Sequence, residues 1–486
     1  MITRVPPRHL VVILTAFALA RPLLAQCPDG TPPPCGGHSA HAPSVAVLFM
    51  EPRSRNAADS LLAEGLTLEI INTLGGVTRL DVRSRWVSRA IAADADPMRH
   101  ARTLGVDYVV DGVVELDSAR VLVRGALTRT ATGRVVRPLR IERPRAELEG
   151  LQVAVARDVA ATVVGQLLPA ELARLGVQRV DPRAKERLLT ASALFEQYTA
   201  AAIRQALVLT QQAIAIDSGY APAWVQLAMC YIWLRSFEPD SDAAYRNHVK
   251  TASERAFSLD SSNGAAMSIV AANRAARNDL SPHTEALARR AAAQEPGVLT
   301  ELPLGFVLLS FGKEDEALAI IRDAVRRDSL SPWAWATAAS RLSDARHFVE
   351  AAAAWERALA LRPSVQDSVS LLTVRRWARL ETGDCTGSLA AGRSVQDTSL
   401  IIESLRCLGR MAEADSLIDG QLALSKTSPW ARAIYLAWRN RPDSAFAVLD
   451  RAFPSFLGLL LIHPAFDPYR QHPAYLALRR RMELMQ

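Results

Sequence analysis

The sequence predicts a small α+β domain, a mixed sheet with helices, followed by an all-α superhelix of stacked helix pairs. Three observations carry that prediction. Up to residue 172, apolar runs of strand length alternate with segments of helical periodicity. From Asp181-Pro182 onward the chain is alanine-rich and its periodicity is helical throughout. Within that second part, similar residues recur at nearly constant intervals.

The first domain, residues 44–172, reads strand, helix, strand, helix, three strands, helix. Ser44-Val45-Ala46-Val47-Leu48 is a short buried strand. Leu62, Leu66, Ile70 and Leu74 keep helical spacing until Gly75-Gly76 stops them. Leu80 to Arg85 reads as a second strand, and Asp96-Pro97 opens a short helix that ends at Gly105. Val106 to Leu116 pairs with Ala119 to Leu127 across Asp117-Ser118, and Thr132-Gly133 turns into Arg134 to Ile141. Leu148, Leu151, Val155, Val159 and Val163 line one face of a closing helix.

In the second part, Asp217, Asp260, Glu295, Asp328 and Arg362 mark the ends of second helices. Their intervals are one of 43 and then 35, 33 and 34. A period of about 34 with small and aromatic residues at fixed offsets is the tetratricopeptide signature. Trp224, Leu227, Ala228 and Tyr231 hold the key positions of one first helix; Gly305, Ala317 and Ala324 hold the small positions of a later unit. Ala351, Trp355, Ala358 and Pro363 do so in another. Small residues let paired helices approach, and aromatics fill the hole against the next pair. Val374 to Leu380, Ser399 to Leu408 and Ala431 to Trp438 read as further first helices, giving about eight helix pairs over residues 182–452. Residues 453–486, including His463 and His472, are expected to cap the last apolar face. Cys385 opens a second helix and Cys407 closes the next first helix, on one edge of an up-down array; a Cys385–Cys407 disulfide is expected, with Cys230 a buried free thiol.

Ser44 to Leu48, Gly65-Leu66-Thr67 with Glu69-Ile70, and Leu104-Gly105-Val106 running to Asp111-Gly112 resemble the TolB amino-terminal-like domain, related to the FlgO envelope-protein family. Phe49-Met50 stands where that family usually has Pro-Phe, and Gly133-Arg134-Val135-Val136 lacks its usual tryptophan. The resemblance implies an interaction domain without catalytic residues. It also implies a layout in which such a domain precedes tetratricopeptide repeats, often behind a cyclase, kinase or winged-helix regulator.

Residues 1–25 have the layout of an export signal: Arg4 and Arg8 with no acid, an apolar run from Leu10 to Ala20, and Ala25 as the cut site. The run is too short to span a bilayer; an uncleaved anchor is the alternative. The expected location is periplasmic or extracellular. Residues 26–43 form a Pro/Gly/Cys-rich linker in which a local Cys27–Cys35 disulfide is the favoured reading. Zinc on Cys27, Cys35, His38 and His41 is the alternative, against which the cysteine spacing and the Pro-rich surroundings speak. The expectation is no metal.

The formal charge of +7 falls nearer +4 without the signal, and only four of the 57 basic residues are lysines. With no dense basic run and no aromatic interleaving, nucleic acid is not an expected partner. There is no phosphate loop, H-E-x-x-H or G-x-S-x-G, so no enzyme, catalytic residue or cofactor is expected. Read by offset, the inner face of the array presents Val225, Met229 and Ile232, then Leu302, Phe306 and Leu309, then Trp333. Either these form a groove for an apolar-striped peptide or several belong to the core. The functional expectation is a non-enzymatic, exported protein-interaction scaffold of the cell envelope. The alternative is a sensory or regulatory module whose effector is a separate chain.

Overall fold

The computed structural model of the chain describes residues 42–484 apart from 55, 177–179, 239–241, 278, 362–367, 425–426 and 453–462. The export signal, the Cys27–Cys35 pairing, His38 and His41 lie outside the described residues, as do Arg362 and Pro363.

The domain at the front has a mixed sheet. β1 (Ser44–Val47) lies parallel to β3 (Asp81–Val82) and to β4 (Tyr108–Leu116). A two-residue β2 (Glu51–Pro52) adds to the far end of β4. β5 (Arg120–Arg129) and β6 (Arg134–Pro144) continue as an antiparallel meander. Side chains alternate across a strand. Val45 and Val47 therefore pack with α1 (Ala57–Gly75), whereas Ala46 packs with α2 (Arg85–Ala93) and α3 (Pro97–Thr103). The closing helix α4 (Leu151–Val164) lies beside α1.

Two elements differ from the sequence reading. The strand expected over Leu80 to Arg85 ends at Val82, because Ser84 accepts a hydrogen bond from the Val87 N–H and starts α2 there. β2 was not anticipated; two residues carry no periodicity.

A latch holds the chain where it leaves this domain. Arg79 forks onto Glu171 in α5 (Pro169–Arg174), with Nη2 to Oε2 at 2.8 Å and Nε to Oε1 at 3.2 Å. The Arg79 hydrogen bonds hold the Glu171 carboxyl at about 2, below the ordinary 4.5. A carboxylate whose folded value is depressed contributes stability that is complete above its unfolded value and is lost as pH falls through the folded one. Denaturation midpoints should therefore fall between pH 4.5 and 2, and Glu171→Gln should flatten that limb. Equal slopes for the two proteins would count against the latch.

Behind it, sixteen helices stand as eight consecutive antiparallel pairs: α6 (Pro182–Phe195) with α7 (Ala200–Ile216), α8 (Ala221–Phe237) with α9 (Asp242–Leu259), α10 (Gly264–Ala276) with α11 (Pro282–Gln294), and α12 (Val298–Ser310) with α13 (Glu314–Arg327). The next four are α14 (Pro332–Asp344) with α15 (Phe348–Leu361), α16 (Ser368–Glu381) with α17 (Cys385–Val395), α18 (Thr398–Cys407) with α19 (Met411–Ala423), and α20 (Pro429–Trp438) with α21 (Pro442–Ala452). A 3₁₀ turn (Pro464–Tyr469) and α22 (Pro473–Leu484) follow, and Phe466, Tyr475 and Leu478 join the core of the last pairs.

The repeat chemistry is visible in the packing. A Cβ on Gly305 would lie 2.7 Å from Ile321 of the paired helix, so only hydrogen fits. Trp224 Nε1 donates to the Ser218 carbonyl at 3.0 Å, and Trp335 Nε1 to the Ser329 carbonyl at 2.9 Å, each reaching six residues back into the turn before its helix. Glu314, Asp315 and Glu316 fill the first turn of α13, where they complement the helix dipole. Asp217, Glu295 and Asp328 stand at helix C-termini, one residue past the last turn.

The array is fused to the front domain through a side-by-side contact of α1 with α6. A Cβ on Gly65 would meet the Leu189 carbonyl oxygen at 2.1 Å, so the two backbones touch there. Lys185 of α6, almost wholly buried, pairs with Glu69 of α1 and lies 5.9 Å from the Tyr220 ring. Such an ion pair is weak as a source of net stability but strongly penalises any other seating of the helix. This is why α1 buries Ala63, Gly65, Leu68 and Ile71 as well as its predicted stripe: it has neighbours on both sides.

Candidate functional site

Stacked helix pairs curve, and their first helices line the inside of the curve. Two places on that lining bring polar and aromatic residues together.

The first is occupied by the chain itself. Ser84, Arg85 and Trp86, at the start of α2, reach from the front domain into the array. Arg85 pairs with Glu196 at the end of α6 at 2.9 Å. Ser84 Oγ donates to Asp328 Oδ1 at the end of α13 at 2.6 Å. Trp86 lies 6.0 Å from the Tyr198 ring, which itself meets Trp233 of α8 edge-on at 5.1 Å. One three-residue segment thus touches the first and fourth helix pairs, so the array curls around it. Burial pushes Arg85 down, but Glu196, Tyr198 and Asp328 more than offset it, so the guanidinium stays charged there.

The second is an open cleft of about 580 Å³ in the later pairs, lined from α14, the turn after it, the start of α15, α16, α18 and α20 together with His463. Its walls are Phe348, Trp377, Trp430, Tyr435 and Trp438; its polar lining includes Asp344, Arg346, Asp397 and Glu403. Arg346 lies 5.4 Å from the ring centroids of both Phe348 and Trp377 and pairs with Glu403 Oε2 at 2.7 Å. The other Glu403 oxygen is 3.2 Å from His463 Nε2. His463 Nδ1 accepts from the Ala465 N–H at 3.1 Å, so the neutral ring carries its proton on Nε2 and donates to Glu403. Burial holds His463 below the ordinary imidazole value despite Glu403. Burial raises Glu403, but His463 and Arg346 outweigh it and the carboxyl stays ionised. Trp438 packs edge-on to His463 at 5.5 Å and carries the Arg406 guanidinium at 5.2 Å. Trp430 keeps 37% of its surface exposed, high for a tryptophan on an inner wall.

A backbone feature links the two places. In the six helix pairs whose connecting turn is described throughout, one turn residue adopts positive φ. It is Gly312, Gly383, Gly409 or Asn440 in four pairs, but Tyr198 (φ 50°) in the first and Arg346 (φ 65°) in the fifth. Left-handed backbone is unfavourable for tyrosine and arginine by about 1 kcal/mol or more, and it persists where the surroundings require that side chain. Both exceptions stand at the two polar-aromatic foci. Reading the sequence unit by unit at this turn position would have flagged them; the packing stripe does not.

The residues proposed from sequence as a groove are divided by the structure. Val225, Met229 and Ile232 share one side of α8 and are half-buried against the cluster of Leu227, Tyr231 and Val249. Phe306 is half-buried under the Arg341 guanidinium, 4.6 Å from its centroid. Leu302 and Leu309 are interior, and Trp333 retains 7% of its surface, so these three belong to the core. The reason is that α12 packs at once against α10, α13 and α14, leaving it only a narrow free face. Sequence reading missed Trp377, Trp430, Trp438, Arg346 and Glu403, and assigned His463 only to the cap.

Cys385 and Cys407 face each other with Cα atoms 5.9 Å apart, inside the range a disulfide spans. Cys230 is buried, and burial pushes its thiol up to about 12. Among the described residues no group of histidine, cysteine and carboxylate side chains is placed to hold a metal ion, and no helix is long and apolar enough to cross a membrane.

No family model matches the chain. A 189-residue stretch is 28% identical to the putative adenylate cyclase 3 of Rhizobium meliloti (strain 1021), covering 38% of this chain and 32% of that protein. The chain thus spans about a third of the length of the curated relative it matches. Among solved structures, YrrB, a TPR protein with an unusual peptide-binding site, is 18% identical over 40% of this chain and 92% of its own, with a TM-score of 0.24. The P58(IPK) TPR domain is 11% identical over 62% and 98%, with a TM-score of 0.21. The chain is a mixed-sheet domain fused to a tetratricopeptide-like superhelix by virtue of its own helix pairing.

Proposed function

We propose that this chain is a non-enzymatic interaction scaffold that holds a peptide or protein segment in the cleft between α14 and α20. The observation that carries the reading is that cleft: aromatic walls, a buried Arg346–Glu403–His463 network that fixes its floor, and a half-open Trp430 at its edge. Partly exposed tryptophan beside desolvated charge is the composition of a binding hot spot. The front domain, read as TolB-like, braces the array and is a second surface for partners. Selection from a random peptide library on the immobilised chain should return binders that lose at least about tenfold in affinity with Trp430→Ala or Trp438→Ala. A library that yields no binder, or binders indifferent to both changes, would remove the cleft from the reading.

The scaffold is proposed to act outside the cytoplasm, periplasmic or extracellular, with the signal removed and Cys385 bonded to Cys407. The facing cysteines support this, since disulfides persist in oxidising compartments. Mass mapping of protein recovered from the envelope should find residues 1–25 absent, Cys385 and Cys407 alkylated only after reduction, and Cys230 alkylated only after unfolding. Free alkylation of Cys385 in the native protein would overturn the pairing.

The similarity to a putative adenylate cyclase favours a second reading, a regulatory module serving an effector on another chain. Purified chain given magnesium and ATP is expected to make no cyclic AMP. Production abolished by one substitution would make it an enzyme instead.

A further inference from the structure

We infer that the cleft between α14 and α20 selects a basic, aromatic segment: an arginine or lysine next to a tryptophan or other large aromatic side chain. This rests on the peptide-cleft reading above and specifies its ligand. The argument comes from the segment already seated at the other focus. There the array takes an arginine-tryptophan pair, Arg85 between the carboxylates of Glu196 and Asp328, and Trp86 against Tyr198. The lining that receives it combines acid and ring, hung on a non-glycine turn at Tyr198.

The cleft repeats that combination around the matching turn at Arg346. Its lining has three acidic side chains, Asp344, Asp397 and Glu403, and one guanidinium, Arg346; burial pushes the Asp344 carboxyl up toward its neutral form. Arg346 and the neutral His463 are spent on Glu403. Arg341 reaches Asp344 at 2.8 Å. Asp397 gives one oxygen to the Leu400 N–H as the N-cap of α18 and has no ion pair among the described residues. Asp397 is therefore a carboxylate without a cationic partner in the cleft that Trp430 and Tyr435 line, while Arg406 already covers the Trp438 ring. A cation there gains ring-quadrupole attraction as well as charge pairing, and an acidic segment meets repulsion.

The test uses the full chain and three blocked hexapeptides. Gly-Ser-Arg-Trp-Val-Gly copies the resident segment; the second has glutamate for arginine, and the third has alanine for tryptophan. Binding is read by calorimetry at low salt. The first peptide should bind at least about tenfold more tightly than either of the others. Asp397→Asn keeps the capping oxygen and removes the charge. It should weaken the arginine peptide several-fold and leave the glutamate peptide unchanged or tighter. Trp430→Ala should weaken the first peptide by at least about tenfold. Equal binding of the arginine and glutamate peptides overturns the inference while leaving a peptide cleft in place. So does failure of all three when a library peptide binds through Trp430. Failure of these and of the library together removes the cleft itself. Arginine-peptide binding unaffected by both substitutions places it elsewhere, at the Arg85 focus, and also overturns the inference.

Discussion

Gly65→Ala is expected to destabilise the whole chain by about 3 kcal/mol or more, at or above the upper end for an overpacked interior site. The added methyl would stand 2.1 Å from the Leu189 carbonyl oxygen and 2.5 Å from its carbon, both backbone atoms in the middle of α6. No rotamer change relieves a backbone clash, so α1 and α6 must separate. Separation strains the Lys185–Glu69 pair and opens the apolar seam that Leu62, Leu66 and Leu189 share. Urea denaturation followed by tryptophan fluorescence should show both a lower midpoint and a first transition in which domain and array uncouple. Gly75→Ala is the control: it lies at the end of the same helix with nothing within 4 Å of its Cβ position, and it should be neutral or slightly stabilising. A Gly65→Ala protein within about 0.5 kcal/mol of the parent would show that the seam is looser than its geometry.

Trp86→Ala should cost about 3–5 kcal/mol, the range for removing a buried tryptophan. Trp86 is 92% buried at the point where the front domain enters the array, and its ring is shared with the cluster containing Tyr198, Leu234 and Leu304. Its loss leaves Arg85 and Ser84 tethered only through polar contacts to Glu196 and Asp328, which water can then reach. The expected signature is twofold: a lower unfolding midpoint, and faster proteolysis within α2 under native conditions. Trp86→Phe should recover part of both. If only the front domain loses stability and the array transition stays put, the segment does not tie the two together.

The cleft and this inserted segment were nearly invisible in the sequence, for different reasons. α2 was hidden because Leu80-Asp81-Val82-Arg83 alternates like a strand, and the ladder's end depends on its partner. β1 offers β3 only the pairs Ser44 with Asp81 and Val45 with Val82. One cue was present, Ser84 in N-cap position before an apolar turn. The cleft was hidden because its members come from four first helices, one turn, the start of α15 and the closing segment. Offset arithmetic within a unit locates a helix face but cannot say which neighbours cover it. For that reason Leu302, Leu309 and Trp333 fell into the core, while Trp430 and Trp438, at comparable offsets in later units, line open space.

The sequence by itself determined the period of the array, the class of both parts, the ends of several helices and the approach of Cys385 to Cys407. Those follow from local chemistry: side chains that cap, backbones that break, and small residues that recur where helices touch. The tertiary structure alone decided that Trp86 would be swallowed by the first four pairs and that Arg346, Glu403 and His463 would meet. Both depend on superhelical curvature, which sums small rotations over many units and joins residues no local pattern relates.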